Sequence, residues 1–453
     1  MDFLKWLYPG IRLKRWFFLF SLGTILVSIG MSLLLNYQYV GYLEEWLFKT
    51  VYLATGSYYY TITFLAGLSV LALGLGSMLF ATRQIIRSVI GALIPDGSEK
   101  FIDRIFAQRR LKRGPNIVVI GGGTGLSVLL RGIKSVTSNV TAIVTVADDG
   151  GSSGRIREDL GVVAPGDLRN CLVALADTEP LMEKLFQHRF GGHGSLAGHS
   201  FGNLFIAAMN QVVGSVEGAL AASSKVLAVR GRVLPSTEAP VRLQAELADG
   251  TIVEGESNIP LAGQAIQRVR LVPADAAPVA SSLQAIREAD AILIGPGSLY
   301  TSVLPNLLIQ EVAAELKASK AAKIYICNVM TQPGETDGYA ASDHVEALLQ
   351  HAGEGILDYV LVNGQPVAKS LQNIYANQGA APVEADVERI EKLGVKAFRA
   401  DVISESDVVR HDPLKLCRTL VSIIYRLRPH AEHMALLDHY LIADTLRERK
   451  GGC

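Results

Sequence analysis

The chain has 453 residues, more than one hydrophobic core usually serves, so a large domain plus a further segment is expected. Lysine plus arginine and aspartate plus glutamate number 43 each, and this balance gives no electrostatic reason to expect a nucleic-acid partner. The four scattered cysteines, Cys171, Cys327, Cys417 and Cys453, form no close pair of the kind that redox and zinc sites use. This spacing is typical of a reduced cytosol, and Cys171 and Cys327, which lie in apolar runs, are expected in the core.

Two early uncharged stretches predict a membrane hairpin. Residues 16–35 carry no charge and match the ~20 residues that a helix needs to cross the hydrocarbon layer. Residues 50–82 form a second uncharged run, and the predicted spans are 16–35 and 59–81. Basic residues precede the first run and follow the second, which places both ends in the cytoplasm because basic flanks stay on that side. The connection, with Glu44 and Glu45, should lie outside.

The alternatives are a cleaved signal peptide at the first run and a buried helical hairpin of a soluble core. No small-residue cleavage pattern follows the first run, and both runs reach full spanning length. We therefore predict a multi-pass protein of the cell membrane with its C-terminal domain in the cytoplasm. The predicted division is a membrane hairpin at 1–90, a basic juxtamembrane linker at 91–114, an α/β body at 115–427 and a polar tail at 428–453.

Within the body, short apolar segments alternate with helix-length amphipathic ones, which predicts a Rossmann-like parallel sheet with helices on both faces. The first strand is predicted at 116–120, followed by a helix from near Thr124 and a second strand at 140–146. Later strands are predicted at 291–294 and around 324–326. Residues 242–256 alternate apolar and polar around Asp249-Gly250, which predicts an inserted β-hairpin.

The first glycine-rich loop lies between the first strand and its helix. In this position glycine backbone can approach an anion while the N–H groups of the helix N-terminus point at it. The loop is neither standard fingerprint: Leu126 stands where G-x-G-x-x-G has its third glycine, and no Lys-Ser/Thr pair follows. A tight structural turn is the alternative. The predicted phosphate-contacting residues are Gly121, Gly122, Gly123, Thr124 and Gly125.

A second polar segment follows the second predicted strand, at the edge where α/β sheets bind ligands. Asp148 and Asp149 there can hold ribose hydroxyls or a hard cation such as Mg²⁺; the alternative is an acidic turn with a helix cap. Asp167 and Asn170 begin the next helix, where Asp167 suits capping as well as ligand contact. The neighbouring hydroxyls of Ser152 and Ser153 complete this group.

Two further glycine-flanked turns precede apolar helices and can donate several N–H groups to one anion. Their candidate ligand-binding residues are His199, Ser200 and Asn203 in the first turn, and Gly295, Gly297, Ser298, Tyr300 and Thr301 in the second. Asn328 and the segment 331–336 are expected to close the same crevice. These loops together predict a phosphorylated, nucleotide-type ligand.

Other chemistries find little support in the sequence. His188, His193 and His199 lack the carboxylate or thiol neighbours of a recognisable metal site, so no metal is expected there. The G-x-S-x-G spacing occurs once, at Gly198-His199-Ser200-Phe201-Gly202, but no strand is predicted before it, which disfavours the strand-to-helix elbow of covalent hydrolases.

Seven motifs carry a family resemblance: IGGGTGLSVLLRG, TAIVTVADDGGSSGRIRE, APGDLRN, LFQHRF, GHSFGNL, IGPGSLYTSVLPNLL and YICNVMTQPGETDGY. Together they closely resemble the YvcK, or gluconeogenesis factor, family over residues from about 115 to about 426. This family is related to the 2-phospho-L-lactate transferases. The departure is the N-terminal hairpin, because the better-known members begin almost at the first glycine strand and are soluble.

The resemblance implies a non-catalytic protein that binds UDP-sugars, notably UDP-N-acetylglucosamine, and links carbon metabolism to cell-wall synthesis and cell shape. It places the family's ligand-contacting tyrosine and arginine at Tyr375 and Arg410. No cofactor is required under this interpretation. The expected partners are the UDP-sugar, the membrane, cell-wall synthesis or signalling proteins and a second copy of the chain.

Two competing functions stay open at the level of sequence. In the first, the chain is a transferase of the phospholactate type, in which Asp148 and Asp149 hold Mg²⁺ as catalytic residues while glycine-loop N–H groups stabilise the transferred group. In the second, the chain is a membrane scaffold, which explains the hairpin but leaves the glycine loops without a role.

Overall fold

A computed structural model describes residues 38–56, 111–177, 180–404 and 409–427. The chain divides into two compact units, Met1–Ile102 and Asp103–Cys453. The first contains the helix α1 (Gln38–Thr55), which occupies the predicted connection between the two spans. The predicted spans, most of the basic linker and the polar tail lie outside the described residues.

Within the described residues, no single helix is both long enough and apolar enough to cross a membrane. One sharply bent helix pair, Phe201–Val213 with Val216–Val226, meets that test by length and composition only.

The described part of the second unit contains ten strands: β1 (Ile117–Gly121), β2 (Val140–Val144), β3 (Arg232–Pro235), β4 (Arg242–Leu247), β5 (Ile252–Glu254), β6 (Ile266–Val272), β7 (Ala291–Ile294), β8 (Ala322–Ile326), β9 (Tyr359–Asn363) and β10 (Lys396–Ala400). Seven of them form one sheet in the order β3-β2-β1-β7-β8-β9-β10, and every pairing in it is parallel. The strand order reverses its direction between β1 and β7. In open α/β sheets, a ligand crevice lies outside the carboxyl ends of the strands at such a point.

Helices cover both sides of this sheet, as the alternating pattern predicts. They are α2 (Gly123–Ile133), α3 (Gly151–Leu160), α4 (Gly166–Leu175), α5 (Pro180–Gln187), α6 (Phe201–Val213), α7 (Val216–Val226), α8 (Ala280–Arg287), α9 (Leu304–Leu307), α10 (Gln310–Ala318), α11 (Ala341–Ala352), α12 (Lys369–Ala376), α13 (Val387–Lys392) and α14 (Pro413–Leu427). The central strands β1, β2, β7 and β8 are buried along their whole length, because a parallel sheet with both faces covered has no solvent face. The predicted Rossmann-like fold is confirmed.

The inserted β-hairpin is also confirmed, and it belongs to a separate antiparallel sheet in the order β5-β4-β6. The turn at Asp249-Gly250 joins β4 to β5, as the sequence predicts. The third strand, β6, was not predicted. Its inner residues Ile266, Val269 and Leu271 do not alternate strictly, and the β4–β6 register shifts at Glu246/Leu247, which weakens the period-two signal.

The predicted strand bounds are close to those of the structure. The strand at 291–294 is confirmed residue for residue, and the first strand begins and ends one residue later than predicted. The second strand ends at Val144 instead of 146. Thr145 still donates its backbone N–H to Gly121, but its side-chain oxygen then accepts from the N–H of Ala147, and this local bond turns the chain out of the ladder.

Candidate functional site

The loops that follow β1 and β7 are in direct contact at the point where the strand order reverses. A Cβ atom on Gly125 would lie 2.8 Å from the carbonyl oxygen of Pro296, and one on Gly297 would lie 3.1 Å from that of Gly122. Side chains at these positions would push the loops apart. The glycines therefore have a packing role in addition to the phosphate-binding role predicted from sequence.

The N-terminus of α2 is held by a side chain from another helix. Asp167, in the first turn of α4, accepts a 2.7 Å hydrogen bond through Oδ2 from the backbone N–H of Gly123. Sequence reasoning expected Asp167 to cap its own helix or to contact the ligand, and the structure gives it a bond to α2 instead. Thr124 and Gly125 follow in the first turn of α2, where N–H groups have no partner within a helix. These two remain the candidate phosphate donors of the first loop.

Asp148 and Asp149 differ in their surroundings. Asp148 accepts a 2.9 Å bond from the N–H of Gly150, and burial raises its pKa above the usual range for a carboxyl group. Asp149 accepts from both the backbone N–H and the hydroxyl of Ser257, at 2.9 and 2.7 Å. Asp149 thus fixes the loop after β5, while Asp148 faces the crevice beside Asp167.

Burial, together with the charge of Asp148, raises the pKa of Asp167 to about 6. A cation bound between these two carboxylates, or a proton on one of them, would relieve their repulsion. Among the described residues, however, no three histidine, cysteine, aspartate or glutamate side chains are placed to hold a metal ion together. The residues present fit a cation that takes only two protein ligands and completes its shell from water and ligand phosphates, as Mg²⁺ commonly does.

Two glutamates complete an acidic wall: Glu335, in the segment 331–336 that was predicted to close the crevice, and Glu256, which the sequence did not reveal. Burial and then the charges of Asp148, Asp167, Glu335 and Asp149 raise the pKa of Glu256 to about 8. Burial raises the pKa of Glu335 to about 7, and its Oε2 atom is buried without a hydrogen-bond partner in the described part of the chain. Glu256 lies between β5 and β6 of the small sheet, at the end of the segment 242–256 that the sequence predicted only as a hairpin.

Five of the predicted ligand residues bond mainly to one another. Ser152 Oγ accepts from the backbone N–H of Ser200 at 3.2 Å and from Asn203 Nδ2 at 3.2 Å, and it lies 3.3 Å from Nδ1 of His199. Asn203 Nδ2 also donates to Ser153 Oγ at 3.3 Å. All five residues are buried, so this network joins the N-termini of α3 and α6 and sets the floor of the site.

Arg169 and Asn170 extend the same network. Arg169 donates to Ser200 Oγ at 2.6 Å and to Asn170 Oδ1 at 2.8 Å. Burial lowers the pKa of the Arg169 guanidinium, and the charge of Arg189 lowers it further. Asn170 is thereby oriented by its neighbour, half-buried beside Asp167.

The residues after β7 divide between the crevice and the core. Tyr300 bonds to the hydroxyl of Tyr339 at 2.7 Å and is almost fully buried, and the buried Thr301 donates to Glu335 Oε1 at 3.0 Å. Ser298 is half-buried, at the turn itself. Asn328, two residues after β8, donates to the carbonyl of Gly297 at 2.8 Å and holds this turn in place.

Tyr375 and the segment containing Arg410 are joined by a direct hydrogen bond, from the N–H of Val409 to Tyr375 Oη at 3.1 Å. The Tyr375 ring packs against a small apolar cluster formed by Val329, Val367, Ile403 and Val409. Arg410 is exposed, and its carbonyl accepts a 3.0 Å bond from the N–H of Ser404.

The Tyr375 cluster lies at the carboxyl edge of the sheet. Val329 directly follows Asn328, which holds the loop after β7, so this cluster adjoins the side of the crevice that Gly297 forms. The hydrogen bond therefore joins the segments that contain the tyrosine and the arginine singled out by the resemblance, and the cluster around Tyr375 connects through Val329 to the turn at Gly297.

Comparison with known proteins agrees with this architecture. Residues 117–403 match the family model described as 2-phospho-L-lactate transferase CofD. A putative gluconeogenesis factor of Nostoc sp. is 48% identical over 425 residues, 93% of this chain and 92% of the relative. The chain belongs to the CofD-like family of gluconeogenesis factors. The gluconeogenesis factor of Bacillus subtilis is 51% identical over 311 residues, 68% of this chain and 98% of that protein.

A solved structure and a longer relative show how the family varies in length. The crystal structure of a Bacillus halodurans protein superposes with a TM-score of 0.67 at 52% identity, covering 68% of this chain and 99% of that one. A putative gluconeogenesis factor of Clostridium acetobutylicum instead matches 99% of this chain at 41% identity. Members of the family therefore exist both at about the length of the α/β body and at the full length of this chain.

Proposed function

We propose that this gluconeogenesis factor is a regulatory protein that binds a UDP-sugar, with UDP-N-acetylglucosamine as the leading ligand, and that it links carbon metabolism to cell-wall synthesis and cell shape. One observation supports this proposal most directly. Two glycine loops that contact each other lie at the same edge of the sheet as the two segments that contain Tyr375 and Arg410, which are hydrogen-bonded to each other. A diphosphate is bound by backbone N–H donors and a positively charged side chain, and a nucleotide base or sugar is bound by an aromatic surface. This edge offers all three.

The proposal assigns roles to the crevice residues. The free N–H groups of Thr124 and Gly125 face the diphosphate, and the exposed guanidinium of Arg410 supplies two parallel N–H donors to the same group. Tyr375, fixed at its hydroxyl by Val409, presents its ring to the base or sugar. No cofactor is required for binding of this kind.

The test is calorimetric titration with UDP-N-acetylglucosamine, UDP, GDP and NADH, with and without Mg²⁺, alongside a search for product. Selective UDP-sugar binding without turnover supports the proposal, and preference for a guanine nucleotide with Mg²⁺-dependent conversion overturns it. Arg410→Ala should weaken binding by about 10- to 100-fold, the range for a charged hydrogen bond. Arg410→Lys should recover only part of this loss, and Arg268→Ala, an exposed arginine on β6, serves as the control.

A second candidate is a Mg²⁺-dependent transferase of the phospholactate type. The observation that favours it is the pair Asp148 and Asp167: burial raises the pKa of both carboxylates, and the charge of Asp148 raises that of Asp167 further. Mg²⁺ held there would polarise a phosphoryl group of a nucleotide-activated donor. Asp148→Asn should then abolish product formation, whereas under the regulatory proposal there is no product to lose.

We further propose that the N-terminal segment anchors the protein in the cell membrane as a hairpin, with the α/β body in the cytoplasm beside cell-wall synthesis or signalling proteins. The uncharged runs at 16–35 and 59–81 and their basic flanks support this arrangement. Self-association into a homo-oligomer is part of the same proposal. Recovery of the full-length protein in the soluble fraction after cell disruption would contradict the anchor, and a monomeric mass in detergent would contradict the oligomer.

A further inference from the structure

The amino edge of the large sheet, where the strands begin, carries a set of unpaired basic side chains. Lys112 and Arg113 precede β1, Arg232 begins β3, Lys320 precedes β8 and Lys396 begins β10. All five are exposed, and within the described residues none forms an ion pair with a carboxylate. This edge is opposite the acidic crevice, so the body has a basic and an acidic end.

Most acidic side chains near the amino edge are bound by protein groups. Asp290 accepts the backbone N–H of Asn116 at 2.8 Å, and Asp358 accepts that of Lys323 at 3.0 Å. The same pattern holds at the ends of the flanking helices, where Asp177 pairs with Arg230 at 2.6 Å and Glu288 accepts from Gln284 at 2.8 Å. Glu354, before β9, has no such donor in the described chain. Asp177 and Asp358 are in ion pairs, whereas Asp290, Glu288 and Glu354 keep their negative charge, so within the described residues the five unpaired cations outnumber the unpaired carboxylates named here.

Two clefts open at the amino edge, and basic side chains line both. The first has a volume of about 530 Å³ and is lined by Lys112, Arg230 and Arg232, together with one carboxylate, Glu288. The second, of about 440 Å³, is lined by Lys320 and Lys396 together with Asp358, which is paired with Lys323 at 3.3 Å. Each is large enough to admit a small polar group. The basic side chains therefore line two clefts and are not spread over a flat surface.

The chain enters the body at this same edge. The N–H of Ser138 donates to the carbonyl of Leu111 at 2.9 Å, and Asn139 Nδ2 donates to that of Lys112 at 3.1 Å, which fixes residues 111–116 along the strand starts. The sequence just before Leu111 is also basic, with Arg104, Arg109 and Arg110, and it follows the second predicted membrane span.

We infer that the amino edge is a membrane-docking surface, with Lys112, Arg113, Arg232, Lys320 and Lys396 facing anionic phospholipid headgroups. The negative surface of the cytoplasmic leaflet attracts basic groups near it, and each cation contributes separately. Docking in this way turns the acidic crevice and its glycine loops toward the cytoplasm. The inference concerns a different surface from the proposed UDP-sugar site and holds whatever ligand that site binds.

The first test uses residues 103–453, the compact second unit without the predicted hairpin. A relative of about this body's length folds as a solved structure, so the fragment is expected to fold alone. It is sedimented with vesicles of phosphatidylcholine alone, and with vesicles of phosphatidylcholine and phosphatidylglycerol in equal parts. We expect binding only to the anionic vesicles, and its loss as salt is raised. Equal binding to both vesicles, or to neither, overturns the inference.

The second test locates the surface with matched charge reversals. The edge variant Lys112→Glu/Lys320→Glu alters one cation at each cleft, and the control Arg268→Glu/Lys369→Glu makes the same change in net charge away from this edge. Each cation contributes on the order of fivefold to the affinity for anionic vesicles. Because the edge variant loses two cations, it should bind these vesicles at least about 25-fold more weakly than the unmodified fragment. The control should bind within about threefold of it. Equal weakening of both variants assigns the effect to net charge and overturns the inference.

Two further measurements separate this result from misfolding and from the proposed function. Circular dichroism melting of each variant shows whether it folds, and titration with UDP-N-acetylglucosamine shows whether the crevice is intact. An edge variant that keeps UDP-sugar binding and loses vesicle binding supports the docking surface. If the fragment binds vesicles but no UDP-sugar, the proposed function fails while the docking surface stands.

Discussion

The carboxylate of Asp167 accepts a hydrogen bond from the backbone N–H of Gly123, at the N-terminus of the helix where a ligand phosphate is expected. A helix N-terminus favours an anion, and this one already has a carboxylate in place. A phosphate that approaches Thr124 and Gly125 therefore meets a negative charge, unless Asp167 is protonated or paired with a cation. The occupancy of this site is thus coupled to the protonation of Asp167, whose pKa is raised to about 6.

Asp167→Asn should tighten UDP-sugar binding measured without Mg²⁺ near neutral pH. The asparagine oxygen can still accept from Gly123, but the competing charge is gone. The gain should be several-fold near pH 7 and should vanish below pH 6, where the wild-type carboxyl group is itself protonated. Calorimetry at the two pH values measures it. A loss of affinity at both would show that the carboxylate holds a cation or a ligand hydroxyl instead.

The acidic wall makes stability depend on pH in an unusual direction. Burial raises the pKa of Glu335 to about 7, and burial together with neighbouring charges raises that of Asp167 to about 6 and that of Glu256 to about 8. Since each value lies above that of the unfolded chain, the folded protein binds protons more strongly. The free energy of unfolding contributed by these groups must therefore fall as pH rises from about 5 to about 8.

Thermal melting of the fragment 103–453 across this range measures the effect. We expect a lower Tm near pH 8 than near pH 5, and Glu256→Gln should raise the Tm near pH 8 by about 2 °C or more with little change near pH 5. Glu391→Gln, at an exposed site on α13, is the control and should leave the pH dependence unchanged. A Tm that rises steadily with pH up to about 8 would contradict the raised pKa values.

The sequence was sufficient to predict the elements of the site but not their partners. The strand at 291–294 and the loops around Gly121 and Gly295 follow from local patterns, because buried apolar runs and glycine turns are determined by neighbouring residues. The Asp167–Gly123 bond joins residues 44 positions apart, and Glu256 enters the crevice only through an inserted sheet. Such contacts depend on tertiary packing, so no local sequence pattern predicts them.

Close contact between the two glycine loops predicts the effect of adding one methyl group. Gly125→Ala should destabilise the body by about 1–3 kcal/mol, since its Cβ would lie 2.8 Å from the carbonyl oxygen of Pro296 and the loops would have to separate. Intrinsic helix propensity acts in the opposite direction, because alanine is favoured over glycine within α2. Urea unfolding measures the difference, with Gly194→Ala, where a Cβ meets no atom within 4 Å, as the control. Equal stability of the two variants would show that the two loops separate at little cost in free energy.

Asp148 and Asp149 should respond differently to the same substitution, although they are adjacent. Asp149→Asn removes the charge that receives two bonds from Ser257, so it should lower stability by about 1–2 kcal/mol, with a smaller effect on ligand affinity. Asp148→Asn removes a buried charge that faces Asp167 and should leave stability unchanged or increase it near pH 8. Paired urea unfolding curves decide between these outcomes. The reverse order of stabilities would mean that Asp148, not Asp149, anchors the loop after β5.

The hydroxyl of Tyr375 should matter for ligand binding without touching the ligand. Tyr375→Phe keeps the ring but leaves the N–H of the buried Val409 without its acceptor, which costs roughly 1–3 kcal/mol and loosens the segment that carries Arg410. We expect UDP-sugar affinity to fall several-fold, less than in Arg410→Ala. In the double variant the two effects should be non-additive, because both act through the same guanidinium.

The control for this last prediction is Tyr359→Phe, on β9, whose ring packs against Phe398 and whose hydroxyl has no hydrogen-bond partner among the described residues. It should change neither affinity nor stability appreciably. Calorimetric titration of the unmodified protein, the two single variants and the double variant supplies the complete cycle. Strict additivity of Tyr375→Phe and Arg410→Ala would contradict the prediction, because it would mean that the hydroxyl of Tyr375 affects binding independently of Arg410.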